Sequence, residues 1–367
     1  MNASRRPWSF KSHEHEWTFH GEFAPAWEFH RSMPGYAPTP LIEVPALAER
    51  WGVASVWVKD ESSRLGLPAF KVLGASWAVN RALTAAAGLP PAQTLEDLKA
   101  VAAGSGATLV TATDGNHGRA LAHMGRLLGL SARIYVPGGL PESTRRAIRG
   151  EGAVVVETGV VYDGAVARAA AEATEGDVLV QDTAWDGYEE IPSWIIEGYS
   201  TLFAEIDLQL PTPAGIVAVP TGVGSLLQSA LEHYRAVGRT TRPRVLAVEP
   251  ASAACVTASL ATGHPVTVDT SAPTSMAGLN CGTVSRTAWP AICESLDAAI
   301  GVTDTEAAEA LAFLHEKGIS VGPCGAAALA GFEAAWCSRN GPEMLGLGSA
   351  ATVVLLSTEG AAANEGR

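Results

Sequence analysis

Lys71 is one of five lysines in the 367-residue chain, and its neighbours along the sequence are uncharged. Residues 67–74 read Leu-Pro-Ala-Phe-Lys-Val-Leu-Gly, with the lysine as the single charged residue. Burial among apolar side chains disfavours the ammonium form of an amine, so we expect a lowered pKa and an available neutral nucleophile. A surface lysine whose stem covers apolar neighbours would have the same local sequence, and both interpretations stay open.

Two carboxylates follow strand-like runs further along the chain. Asp114 lies in residues 113–118, Thr-Asp-Gly-Asn-His-Gly, and Asp182 follows the apolar run 178–181. A carboxylate beside an amine can hold an ammonium group or exchange protons with a reacting carbon. Either aspartate also suits a helix cap or a turn, and Asn116 suits a helix N-cap.

A glycine-containing turn after the strand-like run 216–219 could bind an anion. Residues 220–226 read Pro-Thr-Gly-Val-Gly-Ser-Leu and precede a helix-like run. Backbone N–H groups at such a helix start favour a phosphate, although the same pattern also occurs in plain turns. Ser357 and Thr358 end another strand-like run, where either a ligand contact or an ordinary turn is possible.

Together these segments resemble the fold-type II pyridoxal phosphate (PLP) enzymes, in which the Schiff-base lysine follows a phenylalanine and a Gly-Asn-His-Gly loop surrounds the cofactor. Within that superfamily the segments are most similar to those of the diaminopropionate ammonia-lyases. The matching segments keep the family's order along nearly the whole chain: 35–41, 58–62, 69–71, 113–119, 180–185, 191–194, 276–282 and 356–360.

The resemblance implies PLP as the cofactor and gives its contacts by position. Lys71 would bind the cofactor's aldehyde, and Asn116 would bind the phenolic oxygen of the ring. A hydroxyl at Ser357, or at its neighbour Thr358, would face the ring nitrogen and leave it largely neutral. The remaining cofactor-binding residues would be Phe70, Thr221, Gly222, Val223, Gly224 and Ser225. No metal-binding pattern is evident in the sequence.

The resemblance further implies α,β-elimination of ammonia from 2,3-diaminopropionate, of L or D configuration or both, giving pyruvate and ammonia. Asp114 would be the base for the D-isomer and Lys71 for the L-isomer, while Asp182 holds the substrate amines or assists Asp114. The alternatives are another fold-type II β-eliminase or β-replacement enzyme, similar to serine or threonine dehydratases or to cysteine synthase, or a catalytically silent PLP-binding protein.

Two further features bear on this resemblance. Residues 322–326 read Gly-Pro-Cys-Gly-Ala where the family tends to carry Gly-Glu-Ser-Gly-Ala, so Pro323 and Cys324 replace an acidic stretch. Cys255 and Cys281 fall where the family also carries cysteines that can pair. Two free thiols are the expectation in a reducing compartment, with a disulfide as the alternative.

The elements that must position these residues alternate between strands and helices. Apolar runs without polar alternation predict strands that are buried on both faces, separated by helix-length stretches. The predicted strands are 56–58, 108–112, 133–136, 153–156, 178–181, 215–219, 244–249 and 352–356. This order predicts an α/β fold with mainly parallel sheets covered by helices.

The resemblance implies the two-lobed architecture of the fold-type II enzymes, similar to the β subunit of tryptophan synthase. A larger PLP-binding lobe would comprise residues 1–77 and 191–367. A smaller lobe, residues 78–190, would be inserted into it. Composition alone does not locate these boundaries.

Composition restricts the class of protein. The formal net charge of −13 argues against a nucleic-acid partner, which needs a basic footprint. No apolar run approaches the roughly 20 residues that span a bilayer, and residues 1–17 lack the apolar segment of a secretory signal. Composition thus favours a cytoplasmic protein, and the resemblance implies an enzyme that acts on a small amino acid. A homodimer is the general expectation for soluble enzymes.

Overall fold

The computed structural model describes residues 6–11, 17–21 and 26–364, so part of the N-terminal stretch considered for a signal lies outside the described residues. The strands form two sheets. In chain order the strands are β1 Trp8–Phe10, β2 Leu41–Glu43, β3 Ser55–Asp60, β4 Thr108–Ala112, β5 Ser131–Val136, β6 Val154–Glu157, β7 Asp177–Leu179, β8 Ile216–Pro220, β9 Arg244–Pro250, β10 Ala298–Val302 and β11 Thr352–Ser357.

Helices connect most of these strands. They are α1 Ala26–Arg31, α2 Pro45–Trp51, α3 Val72–Ala86, α4 Leu95–Ser105, α5 Asn116–Leu128, α6 Glu142–Gly150, α7 Tyr162–Glu172, α8 Glu190–Gln209, α9 Ser225–Tyr234, α10 Cys255–Thr262, α11 Ala288–Ser295, α12 Asp304–Glu316, α13 Pro323–Trp336 and α14 Gly341–Met344. Three short 3-10 helices lie at Ala251–Ala253, Ala277–Leu279 and Ala361–Asn364.

The first of two compact units comprises Thr39–Ser62, Leu202–Ala361 and the described residues before position 22. Its seven-stranded sheet has the order β1-β10-β9-β8-β11-β3-β2. Neighbouring strands are parallel except for the two edge pairs, β1 with β10 and β2 with β3. Helix α13 packs closely on β9, because a Cβ at Gly331 would lie 2.4 Å from the Val248 side chain.

The second unit comprises Ser63–Thr201 with residues 26–38 and 362–364 of the described chain. Its four strands are all parallel, in the order β6-β5-β4-β7. Helices α5 and α7 pack on β4 and β5. The predicted α/β class with mainly parallel sheets is therefore confirmed.

The second unit begins at Ser63, ends its main segment at Thr201 and includes α3, which packs with α4 and α5. The lobe boundaries at 78 and 190 stay a prediction. One other expectation differs from the structure in detail. The prediction that the strands are buried on both faces is confirmed for β8 and β11. It is wrong for β6 and β7, whose residues are exposed or only partly buried because β6 and β7 are the edges of the small sheet.

Within the described residues, none of the helices combines the length and apolar character needed to span a bilayer. The same part of the chain contains no cluster of three or more histidine, cysteine, aspartate or glutamate side chains able to hold a metal ion.

Candidate active site

Lys71 lies in the second unit, immediately before the first turn of α3. Its Nζ is 2.5 Å from Oδ2 of Asp182, and it lies 5.6 Å from the centre of the Phe70 ring. Asp182 follows β7 and is almost fully buried, while the lysine side chain is 24% exposed. The structure thus brings together two of the three predicted catalytic residues as an ion pair.

This pair reverses the expected pKa of Lys71. Burial acts to lower the pKa of the amine, but the charge and hydrogen bond of Asp182, together with Tyr199 and Asp114, outweigh burial, so the net pKa of Lys71 is raised. For Asp182, burial acts to raise the pKa, but the charge of Lys71 and the hydrogen bonds that the carboxylate accepts contribute to a net lowering. The amine is therefore an ammonium in this state, and the predicted neutral nucleophile is wrong because a carboxylate compensates the lost hydration.

Asp114 lies in the turn between β4 and α5, which Thr113 shapes. The Thr113 hydroxyl oxygen accepts hydrogen bonds from the N–H groups of Gly115 and Gly118, each at 3.0 Å. A Cβ at Gly118 would lie 2.2 Å from the threonine methyl, so only glycine allows this turn. The charge of Asp114 contributes to the raised pKa of Lys71.

Asn116 is the first residue of α5, and Gly115 occupies the N-cap position. The structure therefore contradicts the alternative interpretation of Asn116 as an N-cap residue. His117 follows, with Nε2 at 2.7 Å from the carbonyl oxygen of Val180 and Nδ1 at 4.0 Å from Oδ2 of Asp182. Burial lowers the pKa of His117, so its neutral ring donates from Nε2 to Val180.

The predicted phosphate loop lies in the first unit, between β8 and α9. None of the described residues accepts a hydrogen bond from the backbone N–H groups of Gly222, Val223 and Gly224. The Thr221 hydroxyl donates to the carbonyl oxygen of Val219 at 2.8 Å, so its hydrogen is already committed. Free N–H groups at the start of a ten-residue helix form a site suited to an anion.

Ser357 ends β11 in the same unit, followed by the buried Thr358. The Ser357 hydroxyl is buried and has no hydrogen-bond partner among the described residues. A buried hydroxyl without a partner is unfavourable unless a ligand supplies one. A Cβ at Gly325, in the first turn of α13, would lie 3.0 Å from this hydroxyl oxygen, so the glycine leaves it uncrowded.

Pro323 and Cys324, which depart from the family's sequence, are the first two residues of α13. The N–H of Cys324 donates to a carboxylate oxygen of Glu359 at 3.2 Å. A carboxylate is favourable at this helix start, and β11 is followed by the residue that supplies it. Glu359 belongs to segment 356–360, which already matches the family, so this contact does not replace the glutamate that the family carries in the stretch 322–326.

Cys255 and Cys281 are free thiols near the phosphate loop. The thiol of Cys255 is 3.8 Å from the carbonyl oxygen of Gly222. A Cβ at Gly222 would lie 2.9 Å from the sulfur of Cys281, so the loop needs glycine here.

Each of the two units, considered by itself, has features that fit pyridoxal phosphate. The first unit offers unpaired N–H groups for a phosphate and an unpaired buried hydroxyl for a ring nitrogen. The second offers an amine held next to carboxylates. A family model described as "Pyridoxal-phosphate dependent enzyme" matches residues 33–359. The chain belongs to this family.

Individual relatives of this pyridoxal-phosphate dependent enzyme agree with that assignment. Diaminopropionate ammonia-lyase of Escherichia coli is 35% identical over 93% of this chain and 91% of its own length. The Salmonella typhimurium protein of the same name is 38% identical over 77% of this chain and 73% of its own length.

Solved structures support the same family. The crystal structure of the Escherichia coli enzyme in complex with D-serine has a TM-score of 0.86 at 34% identity, covering 96% of this chain and 92% of that chain. The same enzyme has also been solved in complex with an aminoacrylate-PLP azomethine reaction intermediate, with a TM-score of 0.84. Threonine deaminase isoform 2 of Solanum lycopersicum, at 22% identity and a TM-score of 0.72, shares the fold.

Sequence reasoning missed two tyrosines near the lysine. The Tyr162 hydroxyl is 3.5 Å from Oδ1 of Asp182. The Tyr199 ring packs on that of Phe70, with centroids 4.8 Å apart, and its buried hydroxyl has no partner among the described residues. No local pattern marks either residue, since each reaches the site from a different helix of the second unit.

Proposed function

We propose that the chain is a PLP-dependent ammonia-lyase that eliminates ammonia from 2,3-diaminopropionate and yields pyruvate. The observation that carries this proposal is the 2.5 Å pairing of Lys71 with Asp182. The charge of Asp114 also contributes to the raised pKa of Lys71. Relatives that are named for this activity, and that align with most of the chain, support the proposal.

Two carboxylates around the reactive amine favour a substrate with a second positive charge. A β-ammonium group can pair with a carboxylate, whereas a β-hydroxyl or β-acyl group gains much less from it. The leaving nitrogen departs as neutral ammonia when the β-carbon bond breaks from an ammonium group. Asp182, kept ionised by its surroundings, would hold that group as an ammonium until it leaves.

When bound, PLP supplies the electron-withdrawing system that makes the α-hydrogen of an amino acid acidic. The residues of this chain supply the rest. Lys71 would remove the α-proton of the L-isomer from one face, and Asp114 would remove that of the D-isomer from the other. The aminoacrylate that is released reacts with water to give pyruvate and a second ammonia.

Further residues are proposed to hold the cofactor. The N–H groups of Gly222, Val223 and Gly224 would bind its phosphate, with the neighbouring Thr221 and Ser225 lining the loop. Ser357 would face the ring nitrogen, with Thr358 beside it, and Asn116 would face the phenolic oxygen. Phe70 packs beside the lysine.

The direct test is pyruvate release by purified PLP-loaded protein from D- and L-diaminopropionate, L-serine, L-threonine and O-acetyl-L-serine. We expect turnover of diaminopropionate to exceed that of the neutral substrates by at least tenfold, and Lys71→Ala to abolish it. Turnover of serine or threonine without turnover of diaminopropionate would instead favour the dehydratase-like alternative. Bound PLP without any turnover would favour the silent binding protein.

We also propose a cytoplasmic homodimer. Free thiols at Cys255 and Cys281 fit a reducing compartment, and twofold symmetry is the commonest arrangement of soluble oligomers. Sedimentation of the PLP-loaded protein should give about twice the chain mass of 38.0 kDa. A monomer at micromolar concentration would contradict the dimer.

A further inference from the structure

The two oxygens of Asp182 have different neighbours. Oδ2 faces Lys71 at 2.5 Å and His117 at 4.0 Å. Oδ1 faces the side-chain amide nitrogen of Gln181 at 3.4 Å and the Tyr162 hydroxyl at 3.5 Å. One oxygen is thus directed at the reactive amine and the other at a pair of neutral donors.

The amide of Gln181 can have only one orientation here. Its oxygen accepts hydrogen bonds from the Thr111 hydroxyl at 2.9 Å and from the N–H of Ala112 at 3.0 Å. The backbone N–H of Gln181 is bound as well, donating to the Tyr188 hydroxyl at 2.9 Å. Since Gln181 is fully buried and its oxygen faces two donors, its NH₂ group must point the other way.

That NH₂ group fixes the direction of the Tyr162 hydroxyl. The amide nitrogen of Gln181 lies 3.0 Å from the phenolic oxygen, and an amide nitrogen can only donate. The phenolic oxygen is therefore an acceptor in this contact, and the Tyr162 hydroxyl donates to Oδ1 of Asp182 at 3.5 Å. Hydrogen bonds of this length commonly shorten when a substrate is bound.

We infer that Tyr162, oriented by Gln181, is a positioning residue that binds Oδ1 of Asp182 and keeps Oδ2 directed at the substrate's β-ammonium group. The inference rests on the proposed function and names the residues behind its preference for a cationic substrate. A carboxylate with one oxygen engaged by neutral donors stays ionised and keeps one orientation. A neutral β-substituent would gain little from this arrangement.

The test compares Tyr162→Phe with a matched variant, Tyr135→Phe. Tyr162 begins α7, and the Tyr135 hydroxyl donates to Glu172 at the end of the same helix at 2.7 Å. Both variants lose one hydroxyl that faces a carboxylate in the same unit. Only the first should affect Asp182.

We expect Tyr162→Phe to raise KM for diaminopropionate by about tenfold, because a hydrogen bond to a charged group is lost. The acid limb of kcat/KM should move to higher pH, since Asp182 loses a donor that favours its ionised form. The dissociation constant of D-serine, which has a neutral β-hydroxyl, should change less than twofold when followed by the absorbance of bound PLP.

A second variant, Gln181→Glu, tests the same arrangement differently. It keeps an acceptor oxygen for Thr111 and Ala112 but removes the donor to Tyr162, so the phenolic hydrogen should turn away from Asp182. The acid limb should again move to higher pH, and further than in Tyr162→Phe, because the new carboxylate also disfavours the ionised form of Asp182. Circular dichroism and thermal unfolding verify that each variant is folded.

Two results would overturn the inference. One is an equal rise in the dissociation constant of D-serine and in KM for diaminopropionate in Tyr162→Phe. The other is an acid limb of kcat/KM that does not move in either Tyr162→Phe or Gln181→Glu. Failure of the wild-type protein to release pyruvate from diaminopropionate would instead overturn the proposed function. If the wild type is active and Tyr162→Phe behaves like Tyr135→Phe, only the role of Tyr162 is rejected.

Discussion

At the scale of single residues, the carboxylate of Asp182 sets the protonation of Lys71. Asp182→Asn removes the charge that offsets burial, so the pKa of Lys71 should fall. In cofactor-free protein, acetylation of Lys71 followed by peptide mass spectrometry across a pH series should show a lower midpoint. Asp177→Asn removes a carboxylate that pairs with Arg133 and serves as control. An unshifted midpoint in Asp182→Asn would show that the pair does not control the amine.

Asp114 allows a prediction about stereochemistry. If Asp114 is the base for the D-isomer alone, Asp114→Asn should reduce kcat for D-diaminopropionate by at least 100-fold and that for the L-isomer by much less. The absorbance of bound PLP should be retained. The measurement is pyruvate release from each isomer. Equal losses for both isomers would contradict separate bases.

At the scale of elements, two glycines bring α3 and α8 into close contact. A Cβ at Gly198 would lie 2.5 Å from the carbonyl oxygen of Leu73, and one at Gly74 would lie 2.5 Å from the Tyr199 ring. This contact places α3, and Lys71 directly before it, against α8.

Gly198→Ala should therefore push the two helices apart. We expect a loss of about 1–3 kcal/mol in the free energy of unfolding, together with weaker PLP binding. The control is Gly104→Ala in α4, where a Cβ would meet no atom within 4 Å. That change should stabilise by about 0.5–1 kcal/mol. Denaturant titration measures both, and equal stability of the two variants would contradict this packing argument.

The elements differ in how well the sequence predicts them. The buried run 108–112 matches β4 at both ends. The strands β1 and β2 are not predicted because three residues at a sheet edge carry no periodic signal. β10 is missed because its alanines and Gly301 lack β-branched character.

The candidate site was predictable only where a local motif marks it. Lys71, Asp114 and Asp182 each lie in a recognisable segment, and the structure places them around one amine. Tyr162 lies at the start of a helix with no distinguishing neighbours, so its approach to Asp182 depends on tertiary packing. The pKa of Lys71 was wrongly predicted for the same reason, since the compensating charge is 111 positions away along the chain.

At the scale of the whole molecule, ligand binding and stability are linked, because a ligand that binds only the folded chain raises the free energy of unfolding. At 100 times its dissociation constant, PLP should contribute about 2.7 kcal/mol. The melting temperature of the PLP-loaded protein should exceed that of the cofactor-free protein by several degrees.

Ser357→Ala should affect the melting temperatures of the cofactor-free and the PLP-loaded protein differently. In cofactor-free protein the hydroxyl is buried without a partner, so its removal should leave the melting temperature unchanged or slightly higher. With PLP present, the lost contact to the ring nitrogen should reduce the stabilisation by the cofactor. Ser295→Ala is the matched control, because that buried hydroxyl donates to the carbonyl oxygen of Ala291 at 2.7 Å. It should lower both melting temperatures equally, and the same pattern in Ser357→Ala would remove Ser357 from the proposed cofactor site.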